Sequence, residues 1–479
     1  MTDNKKNNVP ADLLDVVVVG AGISGLYAAR LLRPHYRITV LEARDRVAGR
    51  LCNHRFANGD TVDIGGQWVG PGQERMYRLI EELGFETWPL YDTGDNLLWQ
   101  GQRTRRYRGT IPPIGPLALL DLGQAMARFE KMARSIDAAE PWTHPKAAEW
   151  DRQTLASWLQ SNCRTRRARE VFSIGIGAVF AAEPEDLSLL HALFYARSGE
   201  SLETLLSVTG GAQQDRVHGG TAGLCTHMAR DLGDDLYLNA PVNAVEREAD
   251  GTLRVLCDAG EFRCKRLIMA LPPNQALRIR FSPALPARRD QLWQRMPAGS
   301  CIKCIARYER PFWRDEGLSG QVTSVEGPVR VMFDNTEAGK DSGLLMGFLE
   351  GDIARHYSSV DPEVRRRDVL DCFARYFGEQ AREPLEYVDR DWSSEEWTRG
   401  CYAALMPPGV WTQYGATLRS DDAPVHYAGT EAATEWFGYM EGALQAAERA
   451  VAEVRDALQQ KAAPGSTTLR AEERSGDCV

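Results

Sequence analysis

Three glycines near the N-terminus constrain the fold more than any other stretch of this sequence. Gly20, Gly22 and Gly25 form the pattern GxGxxG within VVVVGAGISGLYAAR. The β-branched run DVVVV before them predicts a buried parallel strand, and LYAARLL after them has the apolar spacing of a helix. Because RITVLEA follows as a second strand, the stretch predicts one βαβ unit whose glycine-rich turn joins strand to helix.

This glycine pattern indicates a dinucleotide site. The first glycine allows a tight turn, the second lets the backbone approach a pyrophosphate, and the third allows close helix packing. The N-terminus of the following helix favours the phosphate charge. Glu42 lies near the end of the second strand, where a carboxylate can bind ribose hydroxyls and repels a 2′-phosphate.

The residues after Glu42 favour FAD over NAD. Arg44 and Arg50 follow in EARDRVAGR and can reach the pyrophosphate. The stretch DIGGQWVGP, which contains Gly66 and Gln67, adds glycines where the backbone can approach a ring system. The sequence therefore predicts a flavin dinucleotide.

Composition and cysteine usage argue against several other classes of protein. The net charge of the 479-residue chain is -9, which disfavours nucleic acid because phosphate binding needs a basic surface. The ten cysteines have no regular spacing, which is typical of reduced intracellular thiols. Cys301 and Cys304 form a CxxC pair without a second pair nearby, so we predict no metal site and expect both thiols to pack along a strand.

Nothing in the sequence predicts secretion or a membrane span. The N-terminal stretch MTDNKKNNVPADLL lacks the apolar segment of a signal peptide, and no apolar run reaches about eighteen residues. Residues 461–479 are polar and predict a flexible tail. We therefore expect a soluble, cytoplasmic protein.

The pattern of elements changes along the chain. Residues from about 90 to 208 have helical spacing and few strand signals, and the stretch PPIGPLALLDLGQAMARFEKMARSI predicts a helix that opens on prolines. From about residue 216, short strands and turns dominate, until GYMEGALQAAERAVAEVRDAL predicts a closing helix. We predict a mixed α/β fold with two interleaved domains.

Five stretches, in order, resemble motifs of the flavin amine oxidases, specifically the monoamine oxidase branch. They are VVVVGAGISGLYAARLL with VLEARDRVAGR, VDIGGQWVGP, AGSCIKCIARYERPFW, DWSSEEWTRGCYAALMPPGVWTQYG and YAGTEAATEWFGYMEGALQAAERA. The resemblance implies a Rossmann-like FAD-binding domain interleaved with a substrate-binding domain of sheet plus helices. The predicted FAD-binding domain comprises residues 1–90, 215–300 and 395–460, and the substrate-binding domain comprises residues 91–214 and 301–394. One departure is Ala48, which stands where the family's arginine motif has a glycine.

The resemblance also implies roles at the reactive end of the flavin. Lys303 falls on a lysine that holds a water at the reactive nitrogen, and Tyr402 and Tyr439 fall on paired tyrosines that flank the amine. Cys401 falls where the branch attaches FAD through a thioether, and Trp392 falls on a tryptophan beside the ring. The implied cofactor-binding residues are Gly20, Gly22, Ser24, Gly25, Glu42, Arg44, Arg50, Gly66, Gln67, Val242, Trp392, Cys401, Thr430, Glu431 and Met440.

For the substrate, the resemblance implies an apolar cavity. Leu206 and Val331 fall on two gating positions between an entrance and an inner cavity, and Gln213 falls on a glutamine beside the substrate. Valine at the second gate implies a more open cavity than the aromatic residue of one relative. This gate is consistent with aryl-alkyl or aliphatic monoamines.

The implied reaction is oxidation of a primary or secondary amine to an imine, which hydrolyses to an aldehyde and ammonia while oxygen is reduced to hydrogen peroxide. A diamine oxidase of the putrescine type and an L-amino-acid oxidase are the alternatives within the superfamily. Against the second, GGQWVGP lacks the arginine that amino-acid oxidases place after this motif. A non-catalytic flavin protein is disfavoured because Lys303 and the tyrosine pair are intact. The implied partners are the amine and oxygen, and relatives often form homodimers.

Overall fold

The computed structural model of the protein describes residues 12–420 and 422–460. The tail at 461–479 lies outside these ranges, as do Cys478 and most of the N-terminal stretch MTDNKKNNVPADLL. Within the described ranges, no helix is both long enough and apolar enough to cross a membrane. The same residues contain no group of histidine, cysteine and acidic side chains that could hold a metal ion.

The described chain alternates short strands with helices. Its strands are β1 (Leu14–Val19), β2 (Ile38–Leu41), β3 (Asn53–Arg55), β4 (Thr61–Asp63), β5 (Trp68–Val69), β6 (Thr87–Pro89), β7 (Asp95–Trp99), β8 (Thr104–Tyr107), β9 (Asp215–Val217), β10 (Leu236–Tyr237), β11 (Val242–Arg247), β12 (Leu253–Cys257), β13 (Gly260–Met269), β14 (Arg280–Ser282), β15 (Cys301–Tyr308), β16 (Leu318–Ser324), β17 (Val331–Asp334), β18 (Gly343–Glu350), β19 (Glu386–Asp391) and β20 (Val425–Tyr427). Its α-helices are α1 (Ile23–Leu32), α2 (Glu74–Glu82), α3 (Pro116–Arg134), α4 (Ala147–Asp151), α5 (Leu155–Asn162), α6 (Arg166–Phe180), α7 (Leu189–Ser198), α8 (Leu202–Leu206), α9 (Ala222–Leu232), α10 (Pro273–Ala276), α11 (Ala287–Gln294), α12 (Gly351–Tyr357), α13 (Pro362–Phe377), α14 (Val410–Tyr414) and α15 (Met440–Gln460).

The predicted βαβ unit lies inside the larger sheet. The strand order in the described chain is β10-β2-β1-β13-β12-β11-β14, with β20 paired to β13. β1 is parallel to both neighbours, and Val17 lies opposite Thr39 of β2 and Leu267 of β13. Val16 and Val18 pack with helices α1 and α15 on one face, and Val17 and Val19 belong to the core on the other face. The four valines of β1 are therefore buried on both sides of the sheet, as predicted. The loops after these parallel strands meet at one edge of the sheet.

The second sheet places Lys303 in the interior. Its order in the described chain is β19-β15-β18-β17-β16-β7-β8, and β15 is antiparallel to both β18 and β19. Side chains alternate across a strand, so Cys301, Lys303 and Ile305 lie on one face of β15. Cys301 and Ile305 pack with Trp392 and Cys401, whereas Cys304 packs on the opposite face. Both thiols of the CxxC pair are therefore buried on a strand, as predicted.

The helices between β8 and β9 form a layer of their own. Helices α3, α6 and α7 share one apolar core, in which Phe129, Phe172 and Phe194 are buried. The apolar residues of α3 recur at helical spacing, which gives this helix one buried face.

The region from about 90 to 208 is less helical than its sequence predicts. β7 and β8 form an edge hairpin that carries the basic cluster RTRRYR, and β8 is mostly exposed. Pairing of β7 with the distant β16 fixes the strand, so local periodicity gives no signal for it. Helix α3 begins at Pro116 rather than at the earlier proline pair, because Gly115 has a φ of 98° and ends the extended approach.

Each sheet draws its strands from the chain segments assigned to one domain. The larger sheet uses residues near 14–41, 236–282 and 425–427, and the second sheet uses residues near 95–107, 301–350 and 386–391. This arrangement supports the interleaved division, and the domain boundaries themselves stay predictions.

Candidate active site

One continuous cavity extends between the glycine loop after β1 and the inner face of β15, and most of the predicted site residues line it. Near the ends of β1, β2 and the start of β11 they are Gly20, Gly22, Ser24, Glu42, Arg44 and Val242. The others on its wall are Arg50, Gly66, Gln67, Gln213, Lys303, Trp392, Cys401, Tyr402, Thr430, Tyr439 and Met440. Gly25, Leu206, Val331 and Glu431 are not among the lining residues.

The three glycines of the loop have different reasons to lack a side chain. A Cβ at Gly20 would lie 2.7 Å from the carbonyl oxygen of Ala270, and a Cβ at Gly25 would overlap the carbonyl oxygen of Gly20. At Gly22, no protein atom beyond the two neighbouring residues lies within 4 Å of the Cβ position. Its backbone, at φ -70° and ψ 174°, suits any residue. The missing side chain at Gly22 therefore leaves space for a ligand in the cavity. Gly20 and Gly25 lack a side chain because neighbouring backbone leaves no room for one.

We expect Gly22→Ala to give a folded protein with a reduced flavin content, because the added methyl enters only the cavity. Gly25→Ala is the matched control, and its methyl should lower the melting temperature because it overlaps backbone. Circular dichroism gives the melting temperature, and the ratio of flavin to protein absorbance gives the cofactor content. A fully loaded Gly22→Ala protein would contradict this assignment.

Glu42 is held with its carboxylate at the cavity wall. It is 3% exposed, and its two oxygens accept hydrogen bonds from the backbone N–H of Ala21 at 2.7 Å and of Arg44 at 3.0 Å. The backbone N–H of Ala240 donates to the carbonyl oxygen of Glu42, which brings the start of β11 and Val242 to the same end. A fixed carboxylate here can accept hydrogen bonds from ribose hydroxyls and repels a 2′-phosphate on that ribose.

An ion pair ties the arginine motif to the C-terminal part of the chain. Arg50 donates to Glu431 at 2.7 Å and to the carbonyl oxygen of Tyr402 at 2.9 Å. The same carboxylate of Glu431 accepts from the backbone N–H of Ala404. Glu431 therefore acts behind the cavity wall, where it holds Arg50 and the chain around Tyr402 together.

Lys303 lies on the far wall in a position that disfavours its charge. It is 3% exposed, and its Nζ donates to the carbonyl oxygen of Gly65 at 3.0 Å and to Oε1 of Gln67. Burial lowers the pKa of Lys303 to about 7. Gln67 in turn donates to Asn335, so the lysine is held by a connected set of polar groups.

Cys401 and Tyr402 lie beside each other on the wall near Lys303, and a cis peptide bond joins them. Cys401 is 6% exposed, and burial raises the pKa of its thiol to about 12. Tyr402 donates its hydroxyl proton to Oε1 of Glu350 at 2.9 Å. The indole N–H of Trp392 donates to the carbonyl oxygen of Ile64 at 2.9 Å, which fixes that ring at the same wall.

Tyr439 approaches from the loop before α15. Its ring lies 5.2 Å from the ring of Trp436 and 6.1 Å from the ring of Tyr195, measured between centroids. The hydroxyl of Thr430 donates to the backbone carbonyl of Tyr439 at 2.8 Å. The structure therefore brings Tyr439 to the cavity that Lys303 and Tyr402 also line.

Leu206 and Val331, the two residues assigned to a gate, are not among the residues that line the cavity. Val331 is on β17 opposite Phe348, and of these two it is Phe348 that lines the cavity. Leu206 ends α8 and packs against Gly175 of α6. Gln213 does line the cavity, with its amide nitrogen bonded to the carbonyl oxygen of Leu205 at 2.8 Å.

Several lining residues have no assignment from the sequence. They include Trp68, Ala178, Val179, Tyr195, Cys301 and Phe348. Tyr195 lies on α7, where nearly every residue is buried, so helical periodicity does not separate a cavity wall from core. For Trp68 a signal exists, because it follows the glycines of the second flavin motif.

A family model described as flavin containing amine oxidoreductase matches residues 23–455. The chain belongs to this family. It is 42% identical over 447 residues to the AofH protein of Mycobacterium tuberculosis, which has the provisional name flavin-containing monoamine oxidase; the match covers 93% of this chain and 97% of that protein. It is 36% identical over 463 residues to amine oxidase [flavin-containing] A of Canis lupus familiaris, covering 96% of this chain and 88% of that protein.

Solved structures of this amine oxidoreductase family have the same fold. Wild-type putrescine oxidase bound to putrescine matches with a TM-score of 0.89 and 35% identity, covering 93% of this chain and 100% of that chain. Cyclohexylamine oxidase from Brevibacterium oxydans IH-35A matches with a TM-score of 0.89 and 32% identity, covering 94% and 100%. The predicted fold class, the family and the assignment as an oxidoreductase that acts on amines are confirmed.

The lining of this flavin amine oxidoreductase fits FAD. The open space beside Gly22 suits a pyrophosphate at the N-terminus of α1, and Glu42 supplies ribose acceptors. At the other end, Nε1 of Trp68 and Oε1 of Gln213 are buried without hydrogen-bond partners among the described residues. Buried polar atoms are normally paired, so these two indicate a polar ligand at the end where Lys303 lies.

Proposed function

We propose that the protein is an FAD-dependent monoamine oxidase. It converts a primary or secondary amine to an imine, which water hydrolyses to an aldehyde and ammonia or a smaller amine, while oxygen becomes hydrogen peroxide. The observation that carries this proposal is that Lys303, Tyr402 and Tyr439 line one end of a cavity whose other end carries the dinucleotide signature. The chemistry supplied by FAD, when bound, is hydride acceptance from the amine-bearing carbon and electron delivery to oxygen.

Tyr402 and Tyr439 are the proposed walls of the amine subsite. Burial raises the pKa of both phenols, so both rings stay neutral across the physiological range. A neutral aromatic face attracts an incoming ammonium and then orients the nitrogen lone pair once the proton is lost. Hydride removal needs that lone pair, because an ammonium has none to donate.

Lys303 is proposed to hold a water at the reactive end of the flavin. Because burial lowers its pKa to about 7, the side chain carries a full charge only below that pH and repels an ammonium substrate less than an ordinary lysine does. Gly65 and Gln67 fix the position of Nζ, which suits a donor that must be in place before the reaction begins.

Cys401 is proposed as the point of covalent attachment of FAD, through a thioether. Its support is position: the thiol lies on the cavity wall, and Trp392 lines the same wall. Of the nine described cysteines, Cys301 and Cys401 are the two that line this cavity. Leu206, Val331 and Gln213 keep their proposed substrate roles, and only Gln213 has a cavity contact to support it.

The lining favours a monoamine over the two alternatives. Among the described lining residues, the one carboxylate is Glu42, which lies at the dinucleotide end, so the distal ammonium of a diamine meets no acidic partner. Arg50, which lies close to Tyr402, is paired with Glu431 and is not free for a substrate carboxylate. The likeness to putrescine oxidase keeps diamine oxidation as the second candidate function.

A substrate panel tests this choice. Hydrogen peroxide release is measured with benzylamine, phenethylamine, hexylamine, putrescine and L-phenylalanine at equal concentrations. We expect turnover of one or more of the three monoamines to exceed that of putrescine and L-phenylalanine. Among the described residues, the lining carries no carboxylate apart from Glu42 at the dinucleotide end, and Arg50 is paired with Glu431. Fastest turnover of putrescine would establish the second candidate, and activity confined to L-phenylalanine would overturn the amine proposal.

Two expectations from the sequence stay proposals. The cytoplasmic location is one, and assembly into a homodimer is the other. Size-exclusion chromatography with light scattering measures the second directly.

A further inference from the structure

Glu350 is a buried carboxylate directly behind one wall of the amine subsite. It ends β18, a strand whose other residues, GLLMGFL, are all apolar or glycine and all buried. Its own exposure is 9%. Oε1 of Glu350 accepts the hydrogen bond from the hydroxyl of Tyr402 at 2.9 Å, and Glu350 lies opposite Cys301 in the strand register. Buried carboxylates are rare in proteins unless they are paired, so Glu350 is expected to have a specific partner.

Glu350 lines a second, smaller pocket, which shares Phe348 with the main cavity. It is not among the residues that line the main cavity, and it lines a small pocket together with Gly177, Glu183 and Arg330. That pocket shares Ser173, Ile174 and Arg330 with a surface groove of about 660 Å³. Arg330 therefore lies on both the pocket at Glu350 and the surface groove, whereas Glu350 does not line the main cavity.

The charged and titratable groups around Glu350 come from four elements. Tyr402 lies in the loop after β19, Arg330 precedes β17, Glu183 follows α6, and Cys301 is on β15. Burial raises the pKa of Glu350 to about 7, and the approach of Glu183 adds to the rise. The hydrogen bond from Tyr402 and the charge of Arg330 oppose it. The group therefore changes charge within the working range of an enzyme.

We propose that Glu350 is a positioning residue for Tyr402, and that its carboxylate sets the orientation and the electron density of the ring that faces the amine. This inference rests on the proposed function of the cavity. When Glu350 is ionised, the phenol donates to a full negative charge, which strengthens the hydrogen bond and makes the ring face more attractive to a cation. When Glu350 is protonated, both effects are lost. The amine-oxidation step is therefore faster above the pKa of Glu350 than below it.

The position of Glu350 outside the main cavity leads to a prediction about pH. Because Glu350 does not line that cavity, an amine bound there does not contact its carboxylate. The ionisation should therefore affect both the limiting rate constant of anaerobic flavin reduction and the ratio of that constant to the dissociation constant of the amine. Ionisation of the amine itself is common to all variants, so dividing one variant's profile by another's removes it.

The experiment compares three variants of the holoenzyme, using the fastest amine of the panel as the probe. We expect the ratio of the wild-type profile to the Glu350→Gln profile to rise through an inflection near pH 7, because the ionisation of Lys303 is common to both proteins. At pH 8 the ratio should reach about ten- to a hundredfold, as for loss of a hydrogen bond to a charged group. Two controls change the charge around Glu350 without touching the main cavity. Glu183→Gln should move the inflection to lower pH, and Arg330→Gln should move it to higher pH.

A readout independent of activity is the infrared absorption of the protonated carboxyl group. In the wild type this band should decline as pH rises through about 7, and it should be missing from Glu350→Gln. The pH at which half of the band is lost should be lower in Glu183→Gln and higher in Arg330→Gln. An active enzyme whose inflection is unchanged in Glu350→Gln would overturn the inference, as would controls that shift it the same way. A wild type that oxidises no amine would instead refute the proposed function, and the infrared result would stand apart from it.

Discussion

Trichloroacetic acid should precipitate the wild-type protein with its flavin still attached, whereas Cys401→Ala should release all of its flavin to the supernatant. This expectation rests on the position of Cys401. Cys401 lies on the cavity wall beside Tyr402, and Trp392 lines the same wall. A thioether survives denaturation, whereas every contact that depends on the fold is lost. Absorbance of the pellet and the supernatant measures the partition.

Cys301→Ala is the matched control for this experiment. Cys301 is a second buried thiol that lines the same cavity, at 1% exposure, so its removal tests whether any nearby sulphur suffices. We expect its flavin to precipitate with the protein as in the wild type. Complete release of flavin from the wild type would remove the covalent link, and retention in Cys401→Ala would assign it to another residue.

Lys303→Met should slow the reaction of the reduced enzyme with oxygen by about 100-fold, the typical cost of removing one preorganised donor. Nζ is fixed by Gly65 and Gln67, and no neighbouring lysine lines the described cavity to replace it. The flavin content should be unchanged, because the dinucleotide end is untouched. Stopped-flow absorbance after anaerobic reduction with the amine measures the oxygen step alone.

Lys265→Met is the matched control, because it makes the same substitution outside the cavity. Lys265 is on β13 and pairs with Asp15 near the surface, away from the cavity. Its oxygen reaction should match the wild type. Normal oxidation rates in Lys303→Met would remove Lys303 from the catalytic residues. Lys303→Met should also lower the melting temperature, because the carbonyl oxygen of Gly65 and Oε1 of Gln67 lose their buried donor.

The dinucleotide half of the site could be predicted because its signal is local. GxGxxG, the strand before it and the helix after it lie within a few turns of chain, and each glycine answers a constraint of its own neighbourhood. Gly25 illustrates this, because its Cβ position overlaps the backbone of Gly20, five residues earlier. Local geometry of that kind leaves a readable pattern.

The amine half was harder to predict because its geometry depends on pairing between distant strands. Val331 shows the consequence. It is paired with Phe348, which is paired in turn with Lys303, so Val331 lies one strand further from the lysine and only Phe348 lines the cavity. β7 is likewise held by β16, and its neighbour β8 has no apolar alternation to reveal it.

The sequence around Glu350 contains an indication of its role that comparison with family motifs does not use. A single carboxylate ends an otherwise apolar strand, and buried charges are uncommon unless paired. What the sequence does not contain is the identity of the partner. The contact with Tyr402 joins the end of β18 to a loop that follows β19, and only the folded sheet brings them together.

The walls of the cavity include residues from Gly20 near one end of the described chain to Met440 near the other. The hydroxyl of Ser24 bonds to the carbonyl oxygen of Ala428, and α1 packs against α15. On a ribosome, the glycine loop therefore emerges long before the residues that close its pocket. Cofactor loading must wait for nearly complete translation, and until then the apolar faces of the early strands are exposed and prone to aggregation.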